Sequence, residues 1–183
     1  VAKVRPQIRA IAEQIAERAE GLAEVQVHFR TLGVRSCTDD VLTLETGVTF
    51  HGTTMAKALA GSEAVLAFVL TVGEQFDTEG QALTQDEDLL GALFLESAGW
   101  LGVEKATRAL SGHLKALAAE QGYRLGRRVA PGYGDWNLEE QKDLFALFGD
   151  DPLPVRLLDS CAMLPKMSRS GMYGLLPAAG MPA

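Results

Sequence analysis

The sequence has few cysteines and few histidines. Its 183 residues include two cysteines, Cys37 and Cys161, which lie far apart and outside any C-x-x-C pattern. Two such thiols predict reduced cysteines in a cytoplasmic protein rather than a disulfide framework. The three histidines, His28, His51 and His113, are equally scattered, which disfavours an enzyme that depends on histidine for acid–base catalysis.

The charge balance and the hydropathy pattern exclude two classes of partner. The formal net charge is −7 and no cluster of lysine and arginine stands out, so the sequence lacks the basic surface that nucleic-acid binding needs. No uncharged apolar run approaches the roughly 20 residues of a membrane span. Residues 1–19 form a charged amphipathic pattern without the apolar core of a signal peptide. We therefore expect a cytoplasmic protein without nucleic-acid or membrane partners.

Familiar catalytic signatures are missing as well. The sequence contains no H-E-x-x-H, no Walker A loop, no G-x-S-x-G elbow and no G-x-G-x-x-G after a strand, so we predict no catalytic side chain and no metal site. What remains is the composition of an ordinary folded protein, 47% hydrophobic and 22% charged. A chain of this length favours one domain, which we place at residues 1–176, with a variable part over residues 1–60 and a loose tail over residues 177–183.

Hydrophobic spacing predicts a mixture of helices and strands. Helices are predicted over residues 5–20, 53–59, 74–83, 86–119 and 138–147, and strands over residues 25–30, 41–44, 64–72, 155–163 and 172–176. Residues 127–136 and 165–171 are predicted to be loops, the first from its proline and glycine content. Because helices and strands do not alternate regularly, the α+β class is predicted.

Two motifs in the last third of the chain carry a resemblance to a known family. Residues 128–133, Arg-Val-Ala-Pro-Gly-Tyr, match an R-x-x-x-G-Y motif, and residues 160–165 followed by 168–171 are similar to an S-x-x-M-x-P and S-x-S-G run. Residues 68–74 add a weaker match upstream. The motifs keep the expected order and spacing over residues 127–175. The chain thus resembles the S-adenosylmethionine-binding activation domain of cobalamin-dependent methionine synthase, in a stand-alone form.

The resemblance implies both a fold and a function. The implied fold is a single α+β domain with a mixed, mainly antiparallel sheet and long helices. The implied function is the reductive reactivation of a corrinoid protein, in which cob(II)alamin is reduced by one electron and methylated by S-adenosylmethionine. The cobalamin would be carried by a partner, a cobalamin-binding methyltransferase subunit, and the electron would come from a flavodoxin, a ferredoxin or a similar donor. Because reduced cobalt is itself the nucleophile, such a protein needs only to orient the methyl donor.

The matched motifs imply a set of residues that bind S-adenosylmethionine: Arg128, Ala130, Gly132, Tyr133, Ser168, Ser170 and Gly171. A ligand carboxylate is well held by a planar guanidinium, which makes Arg128 its expected partner, and Gly132 allows a close backbone approach at a turn. The loop alone favours a structural role, in which Arg128 caps a turn and Tyr133 packs in the core, and the second motif reverses that preference.

Glu104 is the expected partner of the ligand's ammonium group. It falls on or near the apolar stripe of the longest predicted helix, at the place where the resembled family keeps a ligand-binding glutamate. An i to i+4 salt bridge with Arg108 is an alternative of equal weight.

Two other functions stay open at this point. One is a non-catalytic module that binds S-adenosylmethionine or a corrinoid protein as a chaperone or sensor. The other is a methyltransferase that acts on something other than cobalt. Whether the purified protein binds S-adenosylmethionine is the observation that tests the first of them against the catalytic function.

Overall fold

A computed structural model of the chain describes residues 5–178, and its centre is a six-stranded sheet. The strands are β1 (Gln26–Cys37), β2 (Val41–Leu44), β3 (Thr49–His51), β4 (Ala64–Thr71), β5 (Tyr123–Val129), β6 (Arg156–Leu157), β7 (Met163–Leu164) and β8 (Ser168–Pro177). The large sheet has the order β3-β2-β1-β4-β8-β5, and every neighbouring pair in it is antiparallel. The short strands β6 and β7 pair with each other.

The helices are α1 (Pro6–Leu22), α2 (Thr53–Leu59), α3 (Gln75–Gln85), α4 (Leu89–Glu120) and α5 (Gln141–Ala146), with a 3-10 turn at Leu138–Glu140. The 32-residue α4 packs against α1, α3 and the strands β4, β5 and β8. It begins at an aspartate cap, because the Asp88 carboxylate accepts the Gly91 N–H at 2.9 Å. Across residues 5–178, none of the helices combines the length and the apolar character that a bilayer crossing requires.

The sheet separates two hydrophobic cores. Leu66, Phe68 and Leu70 of β4 point to the core under α1, α3 and α4, while its alternate residues join the core on the other face. Seven of the eight residues of β4, from Val65 onwards, are buried. Burial on both faces explains why this strand is a continuous apolar run in the sequence.

The predicted α+β class, with its antiparallel sheet and long helices, is confirmed. The predicted helix over residues 53–59 matches α2. The predicted helix over residues 138–147 is a 3-10 turn followed by α5, and the Asn137 side chain caps that turn by accepting the Glu139 N–H at 3.0 Å. Residues 1–60 supply three of the six strands. That this part of the chain is variable stays a prediction.

Three local predictions are wrong. Residues 127–129 are the end of β5 rather than a loop, because an edge strand rich in arginine shows little hydrophobic alternation. Residues 168–171 begin β8, where pairing with β4 outweighs their serine and glycine content. Residues 155–163 do not form one strand but include β6 and the start of β7. Pro177 is the last residue of β8, and residues 179–183 of the predicted tail lie outside the described residues.

Candidate ligand site

A shallow cleft of ≈ 180 Å³ opens at the β5 edge of the sheet. It lies where β5 ends and residues 130–137, here called the motif loop, begin. One part of its lining comes from Thr54 and Met55 of α2, and the other from β5 and the motif loop, which contribute Arg128, Ala130, Tyr133 and Trp136. The R-x-x-x-G-Y motif therefore folds around a surface concavity.

Among residues 5–178, the half-buried Arg128 has no acidic partner. It lies opposite Tyr173 of β8 in the sheet register. Its guanidinium carbon is 5.6 Å from the centre of the Tyr133 ring, a cation–π contact that holds it beside the cleft. Within residues 5–178, Arg128 forms no salt bridge. A guanidinium in this state is suited to a carboxylate or another anion.

The motif loop is tied to the start of α2 through Asp135. The Asp135 carboxylate accepts the backbone N–H groups of Thr53 and Thr54, at 2.7 and 2.9 Å. These bonds, chiefly the one from Thr54, hold the pKa of Asp135 far below its ordinary value. The loop is thus fixed by a charged group that stays ionised.

A second anchor passes through Glu140. Its carboxylate accepts the Trp136 indole N–H at 2.7 Å and the His51 backbone N–H at 2.9 Å, and it lies 2.8 Å from the His51 ring Nδ1. Trp136 is 2% exposed and meets Phe50 edge to face at 5.5 Å. These contacts define an anchor cluster, which holds the motif loop against α2 and β3 and consists of Asp135, Trp136, Glu140 and His51.

Two glycines shape the meeting point of the two motifs. Gly132 has a φ of +83° and donates its N–H to the Trp136 carbonyl at 2.9 Å, so the turn requires a left-handed residue. A Cβ atom at Gly171 would lie 2.5 Å from the Val129 carbonyl oxygen, which shows how closely β8 passes the end of β5. Ala130, 5% exposed, packs over the same place.

Glu104 lies on α4 and already has two guanidinium partners. Its Oε2 is 2.8 Å from Arg169 Nη1, and its Oε1 is 3.3 Å from Arg108 Nε. Hydrogen bonds, first from Arg169 and then from Arg108, lower the pKa of Glu104. The salt bridge to Arg108 that the sequence suggested is present, and a second one that it did not suggest accompanies it.

The sequence analysis missed Tyr173. This residue lies opposite Arg128 in the sheet register, and it is on β8, the strand that also carries Arg169. It is 3% exposed and stacks on Phe68 with a centroid distance of 5.5 Å. Burial raises its pKa, while the Ser111 hydroxyl and the charges of Arg128 and Arg169 oppose that rise. Arg169, Gly171 and Tyr173 share one face of β8 by the period of two. Had β8 been predicted to begin at Ser168, this alternation would have indicated both Arg169 and Tyr173.

The two predicted serines lie within β8. Ser168 is buried and its hydroxyl donates to the Pro165 carbonyl at 2.5 Å. Ser170 is 4% exposed, pairs with Val69 and points to the face opposite Tyr173. The structure thus brings together Arg128, Ala130 and Tyr133, with Gly132 and Gly171 shaping their surroundings. It keeps Glu104 in a neighbouring cluster and the serines inside the sheet, and a ligand role for any of these residues stays a prediction.

Comparison with known proteins finds similarity in three dimensions. No protein-family model matches the sequence, and no curated protein matches it significantly. Among solved structures, the crystal structure of the MetH reactivation domain bound to AdoHcy is similar to this chain, with a TM-score of 0.69 and 16% sequence identity. The match covers 100% of this chain and 73% of that one. The chain therefore has the α+β fold of the MetH reactivation domain.

Proposed function

We propose that this protein binds S-adenosylmethionine beside Arg128 and takes part in the reductive reactivation of a corrinoid protein. The observation that carries the proposal is the half-buried Arg128, which has no salt-bridge partner within residues 5–178 and lies against an anchored R-x-x-x-G-Y loop. The shared fold supports it, because the similar reactivation domain was solved with AdoHcy bound.

The residues around the cleft suit parts of this ligand. The Arg128 guanidinium can pair with the ligand's carboxylate through two parallel hydrogen bonds. Tyr133 is 64% exposed and offers an aromatic face and a hydroxyl group at the mouth of the cleft. Because the anchor cluster fixes the loop before any ligand arrives, little conformational entropy is lost on binding.

The proposed reaction asks for orientation rather than for acid–base chemistry. It consumes one electron from a flavodoxin, ferredoxin or similar donor and one methyl group from S-adenosylmethionine, and it yields S-adenosylhomocysteine and a methylated corrinoid on the partner. The sulfonium group supplies the methyl. Arg128 and Tyr133 would hold the donor in place, so that its methyl group faces the corrinoid. The reducing cytoplasm, where we expect this protein, suits such chemistry.

The proposed partner is a cobalamin-binding methyltransferase subunit. The reactivation fold takes up residues 5–178, so the corrinoid has to be presented by another domain. Leu93, Trp100 and Leu101 are exposed on α4, and helical spacing places them along the side of the helix that carries Glu104. An exposed apolar stripe on α4, the helix that packs against β5, is a suitable contact surface for that domain, because methyl transfer requires the corrinoid to approach the ligand.

A three-component assay tests this function. This protein, a carrier loaded with cob(II)alamin and a low-potential electron source are mixed anaerobically with S-adenosylmethionine. We expect the spectrum of methylcobalamin and an equal amount of S-adenosylhomocysteine, and mostly oxidised cobalt when S-adenosylmethionine is omitted, because methyl capture draws the uphill reduction forward. Equal conversion without this protein would contradict the catalytic function.

A non-catalytic binding module is the second candidate. The cleft of ≈ 180 Å³ is smaller than the about 300–1,000 Å³ of typical ligand pockets, and Glu104 is already paired. Both observations argue for modest ligand affinity, which suits a protein that protects a corrinoid protein without transferring a methyl group. Ligand binding without methylation across several loaded carriers would support this candidate.

A further inference from the structure

The cleft beside the motif loop is lined by a second arginine, Arg127, in addition to Arg128. We propose that Arg127 is a further ligand-binding residue, which together with Arg128 makes the end of β5 a two-guanidinium site for the acidic end of the ligand. The proposal rests on the proposed function, since it names a second contact for the carboxylate that Arg128 is proposed to hold.

A β-bulge places Arg127 on the face of the sheet that α2 covers. Between Leu125 and Arg128 the register shifts, so that three residues of β5 span two of β8. In a regular strand Leu125 and Val129 would share a face, because they are four positions apart. Here Leu125 packs in the core under α4, and Val129 packs against the core on the other face. Arg127, two positions before Val129, belongs to that other face, where α2 packs against β5.

Arg128 reaches the cleft from the opposite face of β5. Its register partner Tyr173 belongs to the core under α4, and its guanidinium lies against the ring of Tyr133, which lines the cleft. Because β5 is the last strand of the sheet, its free edge leaves room for side chains from both faces. The two arginines therefore border one concavity from its two sides.

The positive charge of this pair is not neutralised by the surrounding side chains. Within residues 5–178 neither arginine takes part in a salt bridge, and none of the residues that line the cleft is acidic. Asp135, the acidic residue of the motif loop, accepts the backbone N–H groups of Thr53 and Thr54 instead. A small cleft lined by charges of one sign concentrates their field and attracts an anion. Its ≈ 180 Å³ suits a compact group such as a carboxylate.

Calorimetric titration with two ligands tests the proposal. The probes are S-adenosylhomocysteine and its decarboxylated analogue, which keeps the adenosine and the amino group. For the wild type we expect a preference of about a hundredfold for the ligand with the carboxylate, because a charge-assisted hydrogen bond from each guanidinium is worth roughly tenfold in affinity. Arg127→Met should reduce that preference to about tenfold.

Three further variants separate a ligand contact from the general loss of a positive charge. Arg124→Met removes an exposed arginine of the same strand that does not line the cleft, and it should leave the preference within about threefold of the wild type. Arg127→Lys keeps the charge without the planar fork, so it should retain more of the preference than Arg127→Met does. Arg127→Met combined with Arg128→Met should abolish the preference. Circular dichroism checks that each variant folds.

The outcomes distinguish this proposal from the proposed function. If the wild type binds neither ligand, the proposed function fails and this proposal fails with it. If the wild type prefers the ligand with the carboxylate and Arg127→Met lowers that preference no more than Arg124→Met does, Arg127 is not a ligand contact and only this proposal is overturned. Equal affinity of the wild type for the two ligands would also overturn it, while ligand binding itself would stand.

Discussion

The motif loop has two sides, and they differ in how completely their polar groups are paired. On the inner side, each acidic group of the anchor cluster is paired with N–H donors: Asp135 with two backbone groups, and Glu140 with Trp136 and His51. On the outer side, the Arg128 guanidinium has a cation–π contact with the Tyr133 ring and no salt bridge among the described residues, and that ring is largely exposed. The inner side is closed and the outer side is open.

This contrast separates stability from binding within one short segment. Paired groups on the inner side fix the loop, and such fixing lets an unpaired group on the outer side stay in a binding conformation. An unpaired half-buried charge lowers stability by itself, so it persists where neighbouring contacts compensate. Changes on the inner side should therefore act on unfolding, and changes on the outer side on ligand affinity.

The largest expected effect is on the free energy of unfolding, when the packed indole of Trp136 on the inner side is removed. Trp136→Ala removes an indole that is 2% exposed and packs on Phe50, so it should lower the free energy of unfolding by about 3–5 kcal/mol. Urea unfolding followed by circular dichroism measures this. Tyr133→Ala is the matched control on the outer side, where the ring is 64% exposed, and it should change stability little. Equal losses in both variants would show that the two sides are not distinct.

The next effect concerns the outer side. Arg128→Ala should reduce the affinity for S-adenosylmethionine by more than about tenfold, because it removes a charge-assisted pair with the ligand, while unfolding stays nearly unchanged. Titration calorimetry compares it with the wild type and with Arg124→Ala, an exposed arginine on the same strand that does not line the cleft. Unchanged affinity in Arg128→Ala would remove this residue from the ligand site.

A smaller effect is the pH dependence of the inner side. The pKa of Asp135 is lowered in the folded state by the N–H groups of Thr54 and Thr53, so its contribution to stability is full above the ordinary pKa of an aspartate and declines as the pH falls towards the folded value. Asp135→Asn should therefore be less stable than the wild type near pH 6, and this difference should shrink below about pH 4. Urea unfolding at a series of pH values tests it. A difference that stays constant with pH would show that the charge of Asp135 is not what anchors the loop.

The sequence predicts the buried helices and strands of this molecule better than its edge strand and its contacts between distant residues. The central strand β4 and the helix α4 were predicted from hydrophobic patterns that burial imposes along the chain. The edge strand β5 was missed, since it is rich in arginine and its register shifts between Leu125 and Arg128. The contact of Arg169 with Glu104 joins residues 65 positions apart, and no local pattern reveals such a partner.

The smallest expected effect is that of Glu104→Gln in the otherwise unchanged protein, and it sharpens the contrast between the two sides. If Glu104 held the ligand's ammonium, this change would weaken S-adenosylmethionine selectively over an analogue without the amino group. Because Arg169 and Arg108 already occupy the carboxylate, we expect both affinities to change by less than about threefold, as is usual for partly exposed ion pairs. Paired titrations of the wild type and the variant give the comparison. A selective loss for the amino ligand would place Glu104 on the open side, beside Arg128, and would mean that the ligand displaces Arg169.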